Sequence, residues 1–239
     1  MALTPMLPAA SISGESASEA AARQAAALER MTLTEVVPGV LHLKFPSRVM
    51  MGRTMVRFQE HYESPKYRNK VFTRTEFEAW YAAQKEHGRY SYDRDWEGFN
   101  VPSRVLRRFK RGDFDPLDAR ERALLAKVAD QRGRFYLIAT AGKDGDPETL
   151  RHEVAHGLWY TRPEYRRRAQ ALLRGVNLKP VFKMLEKLGY HESVWLDEAH
   201  AWLGDDARYV REQGLNPKPY AAVRRKLRLL QKDFVSGVF

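Results

Sequence analysis

The segment "RFYLIATAGKDGDPETLRHEVAHGLWYTRPEYR", residues 134–166, decides how the chain is read. "RFYLIATA" is the clearest strand candidate in the sequence, and "GKDGDP" closes it with turn-forming residues. Pro147 or its neighbour then opens a helix, since proline is tolerated in a first turn, and Pro163 opens the next one. At about 100° per helical residue, Val154 and Leu158 fall within about 80° of Leu150, whereas His152 and His156 lie near 200° and 240°. One face of this helix is thus expected to enter a core while the other turns two imidazoles toward a cleft.

The embedded His152-Glu153-Val154-Ala155-His156 has the form H-E-x-x-H. A 239-residue chain with 7 His and 18 Glu meets that pattern by chance only about 0.015 times. Residues four apart stack on one helix face, so both imidazoles can reach one ion at about 2.0–2.1 Å. Glu153, one step round, stands beside the ion without binding it. That is the place of a general acid/base, taking a proton from water and passing it to a leaving group. The chain has no cysteine, so thiolate ligands, disulfides and a cysteine nucleophile are excluded, and any metal rests on His, Asp or Glu.

These residues resemble the active-site helix of the zincin metallopeptidases. The resemblance implies His152 and His156 as zinc ligands and Glu153 as catalytic base. It covers "RFYLIATA" as well, because zincins place a strand shortly before this helix, with an edge that can pair with an extended peptide substrate. It extends weakly to the C-terminal helices and not to residues 1–130, so its core spans about residues 132–205.

Two histidines and water hold zinc poorly, and a third protein ligand is expected. No histidine occurs in "LWYTRPEYR" after Gly157, which excludes the metzincin pattern. The gluzincin solution is a glutamate from a later helix, often in E-x-x-A. Glu164, Glu186, Glu192, Glu198 and Glu212 are available, and Glu198 alone begins such a match, with Ala201. Val194, Trp195, Ala201 and Trp202 share its side of the helix, while His200 lies about 160° away from it. His191, seven residues before Glu198, would share that face if the helix reached back so far. It is the rival third ligand, or else an oxyanion donor or an outer hydrogen-bond partner. Asp197 is a candidate to orient a ligand histidine, although it points away from Glu198. Tyr160 is either an oxyanion donor or a tyrosine packed under the next helix.

The expectation from the motif is a zinc-dependent hydrolase, a metallopeptidase acting on a peptide or protein. Two histidines and a carboxylate also suit non-haem iron. The other reading starts from charge: 41 basic against 30 acidic residues give +11, with basic clusters at residues 104–111, 162–168 and 224–228. Such clusters attract nucleic acid or acidic partners, and the helix would then be structural or vestigial in a scaffold protein.

Along the remainder, residues 1–30 read as a mobile N-terminal arm and residues 31–239 as one mostly helical α+β domain with a small sheet. Pro38-Gly39 marks a turn, and Thr73 with Glu76 a capping box. "RYSYDRDWEGFNVPS" reads as a polar, aromatic loop, residues 104–111 as a short helix, and Asp115-Pro116 as the start of the next. Asn177 is expected to cap "LKPVFKMLEKLG". No run is long enough to span a bilayer, and no leader is evident, so a cytoplasmic location is expected.

Overall fold

In the computed structural model, which describes residues 16–142, 147–205 and 207–235, four short strands are flanked by helices. The order is α1 (Ala17–Glu29), β1 (Thr32–Val37), β2 (Val40–Phe45), α2 (Arg48–Glu63), α3 (Arg74–Ala83), α4 (Tyr92–Asp95) and β3 (Gly98–Pro102). It continues through α5 (Ser103–Lys110), α6 (Ala119–Lys127), β4 (Tyr136–Ala141), α7 (Pro147–Thr161), α8 (Pro163–Leu173) and α9 (Lys179–Lys187). The last three are α10 (Trp195–Gly204), α11 (Ala207–Glu212) and α12 (Ala221–Val235). The class is α+β and mostly helical, and no described helix is long and apolar enough to cross a membrane.

The sheet order is β1-β2-β4-β3. β1 and β2 form an antiparallel hairpin around Pro38-Gly39, with Gly39 at φ 81°, a conformation that favours glycine. β2 runs parallel to β4, and β3 runs antiparallel to it. The strand "YLIATA" is therefore interior, and the expectation that its edge is free to pair with a peptide is corrected. Both of its faces are buried as well, which is why it reads as a continuous apolar run rather than an alternating one. Leu137 and Ala139 enter one hydrophobic cluster, Tyr136 and Ile138 another.

The first cluster holds α2, α5, α6 and an aromatic group that includes Phe58, Phe109 and Phe114. The second lies under α7, α8, α9, α10 and α12. Two capping boxes start helices in the first half: Thr73 with Glu76 for α3, as expected, and Asp118 with Glu121 for α6. The second corrects the expected start at Asp115-Pro116, because Asp118 supplies the acceptor for the Glu121 amide three residues further on. Glu121 is also buried against Arg57 of α2 at 2.5 Å, which ties the two helices together.

The expected loop "RYSYDRDWEGFNVPS" is a second correction. It contains the single-turn α4 and the edge strand β3, in which Phe99 and Val101 face the first core while Asn100 points the other way. Of the expected arm, residues 1–15 lie outside the described residues. Ala17–Glu29 is helical, and Leu28 and Met31 bury themselves in the first cluster. Residues 143–146 of the turn before α7 also lie outside the described residues.

Candidate metal centre

α7 carries its apolar residues into the second core as the periodicity requires: Val154 and Leu158 are fully buried and Leu150 packs against them. Gly157 permits this approach, since a Cβ there would stand 2.6 Å from a methyl of Val40 on β2. Seated in this way, the helix turns His152 and His156 toward α10. His156 Nδ1 lies 2.9 Å from Asp197 Oδ1, and His152 Nδ1 lies 2.6 Å from Asp205 Oδ2. An ionised carboxylate can only accept, so each Nδ1 donates to its carboxylate and each Nε2 is left to hold either an ion or a second proton.

The two Nε2 atoms are 3.2 Å apart. Glu198 completes a triangle, its Oε1 3.6 Å from His156 Nε2 and its Oε2 4.0 Å from His152 Nε2. Tetrahedral ligation at about 2.0–2.1 Å separates ligand atoms by about 3.3 Å, so these spacings bracket what one ion needs. Lone pairs facing one another beside a buried carboxylate repel unless a cation or proton lies between them. Glu198 is only 2% exposed, and its Oε2 has no hydrogen-bond partner. His152, His156 and Glu198 thus lie close enough to hold a metal ion, and the two-nitrogen, one-carboxylate donor set fits zinc.

The same crowding sets the protonation of the metal-free centre. Burial disfavours charge on His156, yet Glu198 and Asp197 outweigh it and hold the imidazole well above its ordinary pKa. His152 is raised too: burial acts against it, and Asp205 prevails. Asp197 shows the converse, since burial would raise it but His156 and His200 pull it down to about 2. For Glu198 burial wins over both histidines and pushes the carboxyl up to about 7. Protons therefore occupy the place that an ion could take, and any metal that binds must displace them.

Glu153 sits beside the centre without joining the triangle. Asn100 of β3 donates from Nδ2 to its Oε2 at 2.6 Å, and the Tyr136 hydroxyl donates to Asn100 Oδ1. Gly98 leaves the room for it, because a Cβ there would come within 3.0 Å of Glu153 Oε1. Opposite, on α2, the Gln59 amide donates to Glu63 Oε2 at 2.6 Å while its Oε1 accepts from the Asn100 backbone N–H at 3.2 Å. Burial and the nearby Glu198 hold Glu63 well above the usual carboxylate range.

The other sequence candidates fall outside the triangle. His191 ends before the helix begins: it caps a 3-10 turn, accepting from the Ser193 N–H at 3.2 Å, with Arg68 at 3.3 Å from the same nitrogen. His200 faces away, stacked on Trp159 at 4.6 Å, as its azimuth requires. Tyr160 packs against Tyr136 with the Arg134 guanidinium 4.0 Å over its ring. Glu164 pairs with Arg167, Glu212 lies 3.8 Å from Arg208, and Glu186 and Glu192 are exposed. Asp205, Asn100, Glu63 and Tyr190 are the neighbours of the triangle that sequence reasoning missed. Only Asp205 has a signal, since it follows Glu198 by seven residues and so shares its azimuth. No family profile, curated protein or solved structure matches the chain.

Proposed function

We propose that the protein is a metal-dependent hydrolase of the zincin kind that cleaves peptide bonds, with His152, His156 and Glu198 holding Zn²⁺. The order of strand, H-E-x-x-H helix and glutamate-bearing helix supports a zincin-like core built on β4, α7 and α10. One observation carries the reading: each imidazole is oriented by its own carboxylate so that both Nε2 atoms converge on the Glu198 oxygens. A merely structural helix has no need of such outer partners. When bound, the ion supplies Lewis acidity, which acidifies water and polarises a carbonyl.

Glu153 receives the proton from the attacking water and returns it to the leaving amine. Asn100 holds one of its oxygens and leaves the other directed past Gly98. Tyr190 also lines the cleft, and burial together with Glu198 and Glu63 pushes its phenol well above its ordinary pKa. It therefore stays a hydrogen-bond donor, suited to a carbonyl oxygen that gains charge.

Elemental analysis of purified protein, paired with Glu153→Gln, tests the scheme. About one zinc per chain is expected in both, with peptide hydrolysis reduced by roughly 10²–10⁴ in the variant, the usual worth of a general base. Iron in place of zinc would change the metal assignment. A wild-type protein that purifies without tight metal and ignores chelators would refute the proposal.

A further inference from the structure

The cleft leading to the centre has a volume of about 550 Å³, and its lining is rich in acidic side chains where the molecule is basic. The chain carries +11, yet nine carboxylates and a single arginine line this cleft among the described residues. That arginine, Arg48, is engaged by the Trp96 and Arg94 carbonyls at 3.3 and 2.9 Å, with Glu97 at 3.8 Å. Near the rim most acids are answered by a cation: Asp95 by Lys85 at 2.7 Å, Glu148 by Arg151 at 2.5 Å, Glu212 by Arg208 at 3.8 Å.

Glu60 and Glu63 differ. They stand one turn apart on α2, so both present to the same side. Each is held by a neutral donor, Glu60 by the Tyr92 hydroxyl at 2.7 Å and Glu63 by Gln59, and no described cation lies within ion-pairing distance of either, so in the empty cleft burial keeps both toward the neutral acid and an arriving cation would supply the missing counter-charge. Glu63 is fixed by the same Gln59 that ties the Asn100 backbone, one residue removed from the base Glu153. Trp96 on the same cleft is 37% exposed, an aromatic ring that can also receive a cation. The outward Asn100 N–H is already taken by Gln59, and β4 is interior, so main-chain pairing with the sheet cannot supply the recognition at this point.

We infer that the cleft selects a substrate with a basic side chain next to the scissile bond, and that Glu60 and Glu63 read it. The inference rests on the hydrolase reading for the words scissile bond, but the charge preference itself is a binding property. Screening separates it from the field of the whole molecule. At physiological ionic strength the Debye length is about 8 Å, so solvent-exposed arginines farther from the cleft than that are largely screened, and the groups of the wall weigh most on a side chain inside it.

The test uses the full chain with Glu153→Gln, loaded with zinc, and three fluorescent decapeptides that differ at three central positions, carrying Lys, Gln or Glu. Binding of the Lys peptide at least tenfold tighter than the Gln peptide is expected, with the Glu peptide weakest. Adding Glu60→Gln and Glu63→Gln should reduce that preference to less than threefold while zinc content stays the same. If the doubly altered chain does not fold, Glu60→Gln alone serves, since its amide oxygen still accepts from Tyr92. Equal binding of all three, or the reverse order that the net charge alone would produce, overturns the inference. So does uptake of a second zinc ion that Glu60→Gln and Glu63→Gln abolish, because the acid pair would then be a metal site. Turnover of the same peptides by the wild type is scored separately. Failure to cleave any of them counts against the hydrolase, whereas the binding order alone judges the charge reading.

Discussion

Asp205 fixes His152 as Asp197 fixes His156, and the two differ in how they are supplied. Asp197 lies within α10, whereas Asp205 is its C-cap residue and reaches back at 2.6 Å to the His152 ring. Its backbone carbonyl meanwhile accepts from Arg224 and Arg228 of α12, so the side chain can be changed without loosening that anchor. Asp205→Asn keeps an oxygen in reach of Nδ1–H but removes the charge that makes Nε2 a stronger donor. Zinc affinity is expected to fall by about 10–100-fold. Competition with a chromophoric chelator measures it, and an unchanged affinity would remove Asp205 from the centre. At this scale legibility follows the helix period. His152, Glu153 and His156 could be singled out because their spacing is one that a single helix interprets, and Glu198 because the resemblance points to an E-x-x-A glutamate on a later helix. Asn100 could not, since its contact with Glu153 joins a strand to a helix 53 residues away.

Among the elements, local signals revealed those whose ends are chemically marked. The Thr73–Glu76 box, the Pro38-Gly39 turn and Pro163 at the start of α8 are all decided within four residues of sequence. β3 escaped because its neighbourhood mixes tyrosine, tryptophan and charge. Its strand character comes from pairing with β4 on one side and from Gln59 on the other. The Asp115-Pro116 start failed through competition, since Asp118 offers the better cap with Glu121 three residues beyond it. Gly157 was legible only as the residue after the motif, yet it sets the distance between α7 and β2. In Gly157→Ala the new Cβ would meet both methyls of Val40, at 2.6 and 2.9 Å, and Val40 is fully buried and stiff at χ1. Destabilisation of about 1–3 kcal/mol is expected, the usual cost of overpacking, offset only slightly by the better helix propensity of alanine. Urea unfolding tests this, and a neutral or stabilising result would mean that α7 is free to shift. Any such shift should also lower zinc affinity, because the imidazoles move with the helix.

For the molecule as a whole, one sheet separates two cores, and the cleft gathers carboxylates from both sides, α2 from the first and α7 with α10 from the second. That arrangement concentrates like charge in a partly desolvated place and costs stability wherever those acids ionise. Glu60 reports it without touching His152, His156 or Glu198. Burial raises its carboxyl from 4.5 to about 7 despite the Tyr92 hydroxyl, so the folded state holds a proton that the unfolded chain releases earlier. The sign follows: this contribution is fully present below pH 4.5 and is lost as pH rises through about 7. The full shift would be worth roughly 3 kcal/mol, and water in the open cleft reduces that to about 1–2 kcal/mol. Chelator-treated protein should therefore lose stability between pH 5 and pH 8, and Glu60→Gln should lose less by that amount, matching the wild type near pH 4. Adding zinc at pH 8 should restore stability in both, by about 3–4 kcal/mol at 100–1,000 times its dissociation constant. Urea unfolding of both proteins at the three pH values, with and without the metal, decides the matter. Parallel pH curves for the two chains would show that Glu60 ionises freely and that the cleft is wetter than its geometry implies.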